Sequence, residues 1–196
     1  GGWLLQRRTC VARSGVHTSP PRCTRACSGR QSQTASLQTT SDVREHTHVY
    51  PQSDESMGPV RALGKAAGLQ RIGVNIQRLP PGTRSSWPHA EENEEEFVYV
   101  LAGQVDAWID GHIYPMRPGD LAAFPVGTGI AHCFINNSED EVVLLVGGEA
   151  SKPGNRIYYP LNPTRRQDLP EQSWWSDVPK RELGVHDGLP DTHHKA

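Results

Sequence analysis

The sequence predicts an all-β protein, folded as an antiparallel sandwich or barrel. Many short apolar runs follow one another from residue 71 onwards, each bounded by turn-forming residues. The chain of 196 residues also contains 19 Gly and 16 Pro, a content that favours short strands joined by turns. The runs are FVYVL (97–101), VDAWID (105–110), HIYPM (112–116), LAAF (121–124), AHCFI (131–135) and VVLLVG (142–147).

The first of these strands is predicted in RIGVNIQRL, residues 71–79. Ile72, Val74 and Ile76 alternate with less apolar residues, as in a strand with one buried face, and we expect the Ile and Val side to face the core. The Asp110-Gly111 pair between two runs indicates a two-residue hairpin. The segments RPGD (117–120) and NNSED (136–140) are predicted turns.

The two ends of the chain differ in composition from this central region. Residues 1–45 are predicted to be a disordered leader, because their first 41 residues contain many Arg and Ser and no acid. That profile is typical of a mitochondrial transit peptide, and a dispensable tail is the alternative. We expect a barrel over residues 60–150. Residues 151–196 form a Pro-rich extension, with Trp174 and Trp175 anchoring it to the barrel or to a second subunit.

Composition and charge exclude several classes of function. A net charge of -2 gives no basic surface for nucleic acid, and no apolar run approaches the roughly 20 residues of a membrane-spanning helix. Of the four cysteines, Cys10, Cys23 and Cys27 lie in the leader and Cys133 in the predicted core, where burial is expected. They do not form a disulfide framework, so we expect a reducing compartment: cytoplasmic, or mitochondrial if the leader is a transit peptide.

Four residues of the central region are candidates for a metal site or its surroundings. His89 and Glu91 are two residues apart and project to the same side of an extended segment. Glu96 immediately precedes an apolar strand, and His132 lies within another. A carboxylate or charged imidazole there is costly unless paired or metal-bound. A divalent ion between His89, Glu96 and His132 would remove both costs.

The same residues resemble the first sequence motif of the cupins, a family of small jelly-roll β-barrels. Glu96, six further residues and Gly103 match the closing half of that motif. His89 stands where the family has its first histidine, and Glu91 stands where it has its second. The opening glycine, Gly82, is one residue further away than is usual.

A second cupin motif is also present, with one difference in spacing. Gly119, Pro125, Gly127, His132 and Asn136 align with it in order. Four residues, not two, separate Gly127 from His132, and a longer turn accommodates the difference. The resemblance covers residues 82–148 and implies a single jelly-roll cupin β-barrel.

The resemblance implies a metal-binding protein, and more specifically a small-molecule enzyme of dioxygenase, isomerase or decarboxylase type. The metal ligands would be His89, Glu91, Glu96 and His132, around Fe, Mn, Ni or Zn. The departure at Glu91 leaves two alternatives: a fourth ligand in a two-histidine, two-carboxylate site that favours Mn or Fe, or a catalytic base beside a facial triad.

The competing hypothesis is a non-catalytic cupin that binds a small ligand or acts as a dimeric scaffold. For either function we expect a homodimer, because barrels and sandwiches must cover their sheet edges. The neighbouring acids Glu92, Glu94 and Glu95 are predicted to form a solvated face. His46 and His48 are predicted to be a surface pair.

Overall fold

The computed structural model describes residues 36–194, which belong to one structural unit, and the region comprises mainly strands. The first 35 residues of the predicted leader, with Cys10, Cys23 and Cys27, lie outside the described residues. No helix in the described part is long and apolar enough to cross a membrane. The strands are β1 (Glu45–His46), β2 (Val60–Ala62), β3 (Ile72–Leu79), β4 (Ala90–Glu91), β5 (Glu96–Ala102), β6 (Val105–Ile109), β7 (His112–Met116), β8 (Leu121–Phe124), β9 (His132–Ile135), β10 (Val142–Glu149) and β11 (Ile157–Tyr158); helix α1 is Leu63–Ala66, and 3-10 turns span Thr40–Asp42, Pro163–Gln167, Glu171–Ser173 and Asp191–His194.

These strands form antiparallel sheets, which confirms the all-β prediction. One sheet has six strands in the order β1-β2-β3-β10-β5-β8, a second has the order β7-β6-β9, and β11 pairs with β4. The main core lies between the two larger sheets, where apolar side chains of both are almost completely buried. It includes Leu79, Val98, Val100 and Leu144 from the larger sheet and Val105 and Phe134 from the smaller.

The hairpin between β6 and β7 turns where the sequence predicts it. Ile109 pairs with His112, so the loop contains two residues. Asp110 has φ 47° and Gly111 has φ 83°, the positive values required by the hairpin turn whose twist matches the strands. The predicted turn at residues 117–120 is also formed, with the Asp120 N–H donating to the Arg117 carbonyl at 3.0 Å.

The prediction for the faces of β3 is wrong. Ile72 is 57% exposed, and Val74 and Ile76 are half-buried, whereas Gln77 and Leu79 on the other face are buried. The outer face of the six-stranded sheet is itself apolar, since it also presents Phe97 and Leu121. Alternation therefore indicated a strand but could not identify which of its faces lies against the core.

The C-terminal extension packs on the three-stranded sheet of its own chain. The indole N–H of Trp108 donates a hydrogen bond of 2.8 Å to the His186 carbonyl. Trp175 is buried in a cluster with Trp108 and Cys133, on the face of the sheet opposite the main core. Trp174 packs at the edge of a neighbouring aromatic cluster. The extension thus covers one sheet from outside and leaves the interior between the sheets free for a site.

Candidate metal centre

Two histidines come together through a pair of backbone hydrogen bonds. His89, just before β4, lies opposite His132 at the start of β9 in an isolated antiparallel bridge. The N–H of each residue donates to the carbonyl of the other, at 3.2 and 2.9 Å. Residues opposite one another in such a pair project to the same side, and the two imidazole centroids are 5.1 Å apart.

Glu96 brings a carboxylate from the other sheet to these histidines. It is the first residue of β5, and its Oε2 lies 3.2 Å from His132 Nε2 and 3.8 Å from His89 Nε2. One donor atom from each of the three residues lies within 4.8 Å of the others. The structure therefore unites three of the four residues that the sequence indicated.

Backbone carbonyls orient both imidazole rings. His89 Nδ1 lies 2.8 Å from the Trp87 carbonyl, and His132 Nδ1 lies 3.4 Å from the Ile130 carbonyl. A carbonyl only accepts, so each contact assigns a ring proton to Nδ1 and leaves Nε2 facing Glu96, where it donates to the carboxylate when the ring is charged and offers a lone pair to an ion when the ring is neutral. This tautomer, fixed by a backbone partner, is the arrangement that metal-binding histidines show.

The electrostatics of the cluster suit a cation between the three residues. Burial by itself would raise the pKa of Glu96, but the hydrogen bond and charge of His132, with the charge of His89, lower it to about 2. Burial and the neighbouring His132 lower the pKa of His89. An ionised carboxylate and a neutral imidazole are the forms that bind metal.

Packing restricts the movement of His132. Its side chain is only 7% exposed, and the ring of Phe124, the last residue of β8, stacks on the imidazole with centroids 3.5 Å apart and planes 4° from parallel. A ligand held by a rigid neighbour loses little freedom when it binds an ion. This contact could not be predicted from the sequence, because nothing in the spacing relates Phe124 to His132.

Glu91 lies beside the cluster but is not one of its three members. Its Oε2 is buried and has no hydrogen-bond partner among residues 36–194. Burial, then the charges of Glu96 and Glu94, raise the pKa of Glu91 to about 8. A void of about 10 Å³ touches Glu91, Glu96 and His132, the scale of one water-sized site.

These donors fit a divalent ion. Two neutral imidazole nitrogens and one carboxylate oxygen are the donor set of a facial triad with open positions. The unpartnered oxygen of Glu91 is a further oxygen donor within the same pocket. The role of Glu91, as a fourth ligand or as a catalytic base, stays a prediction.

The other acids of this segment do not form one solvated face. Glu94 is only 8% exposed, and its Oε1 accepts a hydrogen bond of 2.5 Å from the Lys152 backbone N–H, so the prediction for this residue is wrong. Glu92 is half-buried in an ion pair with Arg156, and Glu95 is exposed. The C-terminal extension supplies both partners, which local sequence could not reveal.

The remaining candidate residues lie away from the cluster. His46 and His48 are exposed, as predicted for a surface pair. Cys133 is fully buried behind His132, and burial raises the pKa of its thiol to about 12. Trp108 is buried in the same cluster as Cys133 and not in the interior between the larger sheets.

The cluster of His89, Glu96 and His132 opens into a cavity of about 120 Å³ between the two larger sheets. No Lys or Arg is found among the described residues that line it. Sequence reasoning missed its other polar groups, since they belong to no motif. The walls are formed by Gln77, Ser85, Ser86, His89, Glu96, Val98, His132, Phe134 and Val146.

Comparison with known proteins identifies the family. A model of the cupin domain matches residues 75–148. A solved structure from Silicibacter pomeroyi, a sugar phosphate isomerase from a cupin superfamily, is 33% identical, with a TM-score of 0.57 over 63% of this chain and 81% of that one. A candidate sugar phosphate isomerase from Acidithiobacillus ferrooxidans is 30% identical, with a TM-score of 0.58 over 63% and 80%.

The fold, the three-residue cluster and these matches define the class of protein: the chain belongs to the cupin superfamily. The expectation from the two sequence motifs is confirmed. Among curated proteins, the polyketide synthase CurC of Streptomyces cyaneus is 31% identical over 83 residues, which are 42% of this chain. The chain matches about half the length of that relative, 49%.

Proposed function

We propose that this protein is a metal-dependent enzyme that acts on a small, oxygen-bearing molecule in the cavity beside His89, Glu96 and His132. The observation that carries the proposal is the convergence of three donor atoms within 4.8 Å, with both imidazoles oriented by backbone carbonyls. A divalent ion at these ligands supplies a Lewis acid or an O2-binding centre. Fe, Mn, Ni and Zn all accept such mixed nitrogen and oxygen donors.

Glu91 is proposed as the fourth ligand or as the catalytic base. Its unpartnered oxygen and raised pKa support both roles, because a buried carboxyl whose pKa lies near neutral pH can either bind an ion or exchange a proton. The isosteric change Glu91→Gln separates them. If Glu91 is a base, Glu91→Gln should keep its full metal content and lose turnover. If Glu91 is a ligand, the variant should bind metal more weakly and also lose turnover.

The substrate class is narrowed by the walls of the cavity. At about 120 Å³ it is smaller than a site for a drug-sized ligand, and its lining includes no Lys or Arg among residues 36–194. The similarity to sugar phosphate isomerases supports isomerase chemistry, but the lining offers no side-chain cation for a phosphate. A small, hydroxylated, unphosphorylated molecule therefore fits better than a sugar phosphate.

The test asks whether the metal has exchangeable positions, because an enzyme needs them and a scaffold does not. The protein is loaded anaerobically with Fe(II) and exposed to nitric oxide, which binds only at an open position and gives a characteristic paramagnetic signal. We expect one adduct per bound iron. Iron that binds without forming an adduct would contradict the enzyme proposal and favour the non-catalytic cupin.

A second arm of the test addresses the reaction type. Oxygen uptake, decarboxylation and isomerisation are assayed with small hydroxy acids and with sugar phosphates, using wild type and Glu96→Gln. Turnover that requires Glu96 assigns the chemistry to the cluster. Equal turnover by the two proteins would show that the chemistry does not depend on the cluster.

The homodimer stays a prediction. The C-terminal extension packs on its own chain, so a second subunit is not needed to cover the three-stranded sheet. The outer face of the six-stranded sheet still exposes Ile72, Phe97 and Leu121. Size-exclusion chromatography with light scattering gives the mass directly, and a mass of one chain would contradict the prediction.

A further inference from the structure

The buried amide of Gln77, in β3, lines the same cavity as His89, Glu96 and His132. Gln77 is only 6% exposed and is paired across the sheet with Val60 on one side and Leu144 on the other. A polar side chain is costly at such a position unless its hydrogen bonds are made. The partners of the amide therefore show which of its atoms is available to a ligand.

Both N–H groups of this amide are already used. Gln77 Nε2 donates to the Gly58 carbonyl at 3.0 Å and to the Ser85 carbonyl at 2.9 Å. Since carbonyls only accept, these two contacts also fix which end of the amide is nitrogen. The oxygen Oε1 is the remaining functional atom, and its direction is set by two anchors.

The pairing of the strands places Gln77 far along the cavity from the metal ligand Glu96. Gln77 is level with Leu144 of β10, whereas Glu96 is level with Gly148. These positions are four residues apart (144 to 148), or about 13 Å along the strand at about 3.3 Å per residue. Both side chains line one cavity of only about 120 Å³, so the gap that a ligand spans between them is shorter than this backbone offset.

The walls between these two ends are mainly apolar, and the two serine hydroxyls among them each already have a contact within the protein. Val98, Phe134 and Val146 present apolar side chains to the cavity. The hydroxyl oxygen of Ser85 already accepts from the Phe134 N–H at 3.0 Å. Ser86 Oγ lies 3.3 Å from His89 Nδ1, at the metal end. An acceptor at the far end therefore distinguishes ligands by the group they carry there.

We propose that Gln77 Oε1 accepts a hydrogen bond from a hydroxyl group of the ligand and selects small hydroxylated carboxylic acids for this cavity. The inference rests on the proposed function, in which the ligand meets the metal held by His89, Glu96 and His132, and it adds a carboxylate as the metal-binding end because carboxylate oxygens suit an ion such as Mn(II). A neutral hydroxyl is preferred to an ammonium group, because the amide oxygen supplies no charge to compensate a buried cation.

Matched pairs of acids test this selection, because a methyl group replaces each hydroxyl at nearly constant size. Glycolate is compared with propionate, 3-hydroxypropionate with butyrate, and 4-hydroxybutyrate with pentanoate, by calorimetric titration of the Mn(II)-loaded protein. The three lengths cover different distances from the metal. At one length or more we expect the hydroxy acid to bind at least tenfold more tightly, a preference typical of a buried hydroxyl partner.

The variant Gln77→Met keeps the side-chain length and removes the acceptor, so the preference should fall below about threefold. Asn75→Ala changes another amide of β3 that does not line the cavity, and it should retain the preference. A preference that survives in Gln77→Met overturns the assignment. Equal affinities in every pair, or no binding by any hydroxy acid, overturn the proposal itself.

Gln77→Met also loses two hydrogen bonds to the backbone, so its thermal unfolding is measured first. If it does not fold, a crystal structure of the wild type with the tightest hydroxy acid decides the question. The hydroxyl oxygen should lie within hydrogen-bond distance of Gln77 Oε1, and any other position overturns the proposal. Metal content distinguishes failure of the proposed function from failure of the Gln77 proposal. A protein that holds no metal contradicts the proposed function, whereas a metal-loaded protein without a preference for hydroxy acids contradicts only the role of Gln77.

Discussion

Gly148 allows β10 to pass directly against the backbone that carries Glu96, and a methyl group there should displace this ligand. A Cβ atom built on Gly148 would lie 2.4 Å from the Glu95 carbonyl oxygen and 3.2 Å from Glu96 Cα. Real Cβ contacts are essentially never shorter than 3.0 Å, so Gly148→Ala requires a shift of at least 0.6 Å (3.0 − 2.4). The atoms that must move are backbone, which cannot be rotated aside.

The consequence should appear in metal affinity more than in folding. Disturbing the support of a metal ligand typically reduces affinity by about 10–100-fold, and we expect a loss in this range for Gly148→Ala. Overpacking should reduce the free energy of unfolding by about 1–3 kcal/mol. Titration with Mn(II), followed by the paramagnetic signal of the free ion, measures the first, and urea unfolding in chelator measures the second.

Gly73→Ala is the matched control, since Gly73 lies directly opposite Gly148 in β3. A Cβ atom on Gly73 would meet nothing closer than 3.7 Å, which is ordinary contact. This variant should bind Mn(II) as the wild type does. If Gly148→Ala also keeps its Mn(II) affinity within about twofold, the placement of Glu96 against β10 is not what positions the ligand.

Three further results are expected. At a metal concentration about 100 times its Kd, the free energy of unfolding of the wild type should rise by about 2.7 kcal/mol and its melting temperature by roughly 5–10 °C, whereas those of Glu96→Gln should not. An equal rise in the two proteins would mean that the ion binds elsewhere. In chelator, the raised folded-state pKa of Glu91 means that its contribution to stability is complete below about pH 4.5 and is lost as pH rises through about 8. Urea unfolding should show less of this decline in Glu91→Gln, and identical pH profiles would refute it. Peptide mapping should show Cys133 unmodified by iodoacetamide at pH 8 in the folded protein, because burial raises its pKa to about 12; rapid labelling would contradict that burial.

Strands and the hairpin were predictable from local sequence. The period of two in the apolar runs and the Asp110-Gly111 pair are short-range signals, and the structure confirms both. The histidines and Glu96 were found because a charge next to an apolar strand needs a partner. That argument indicates only that each charged residue has a partner. The two cupin motifs indicated which residues are the partners of one another.

The rest depended on contacts between distant parts of the chain. Gln77 faces the cavity because β3 turns its side with Ile72, Val74 and Ile76 outwards, and alternation alone gives no such direction. Glu94 is buried because Lys152, 58 residues away, donates to it. His89 joins the cluster and Glu91 lies beside it, although the two are only two residues apart, and spacing alone does not decide between them.

The most direct test of the central claim is the metal content of protein purified without a histidine tag, measured by plasma mass spectrometry. His132→Ala removes one of the three ligands, and His46→Ala removes an exposed histidine outside the cluster. We expect about one Fe, Mn, Ni or Zn ion per chain in the wild type and in His46→Ala, and strong depletion in His132→Ala. Equal metal content in both variants, or none in any of the three proteins after reconstitution, would contradict it.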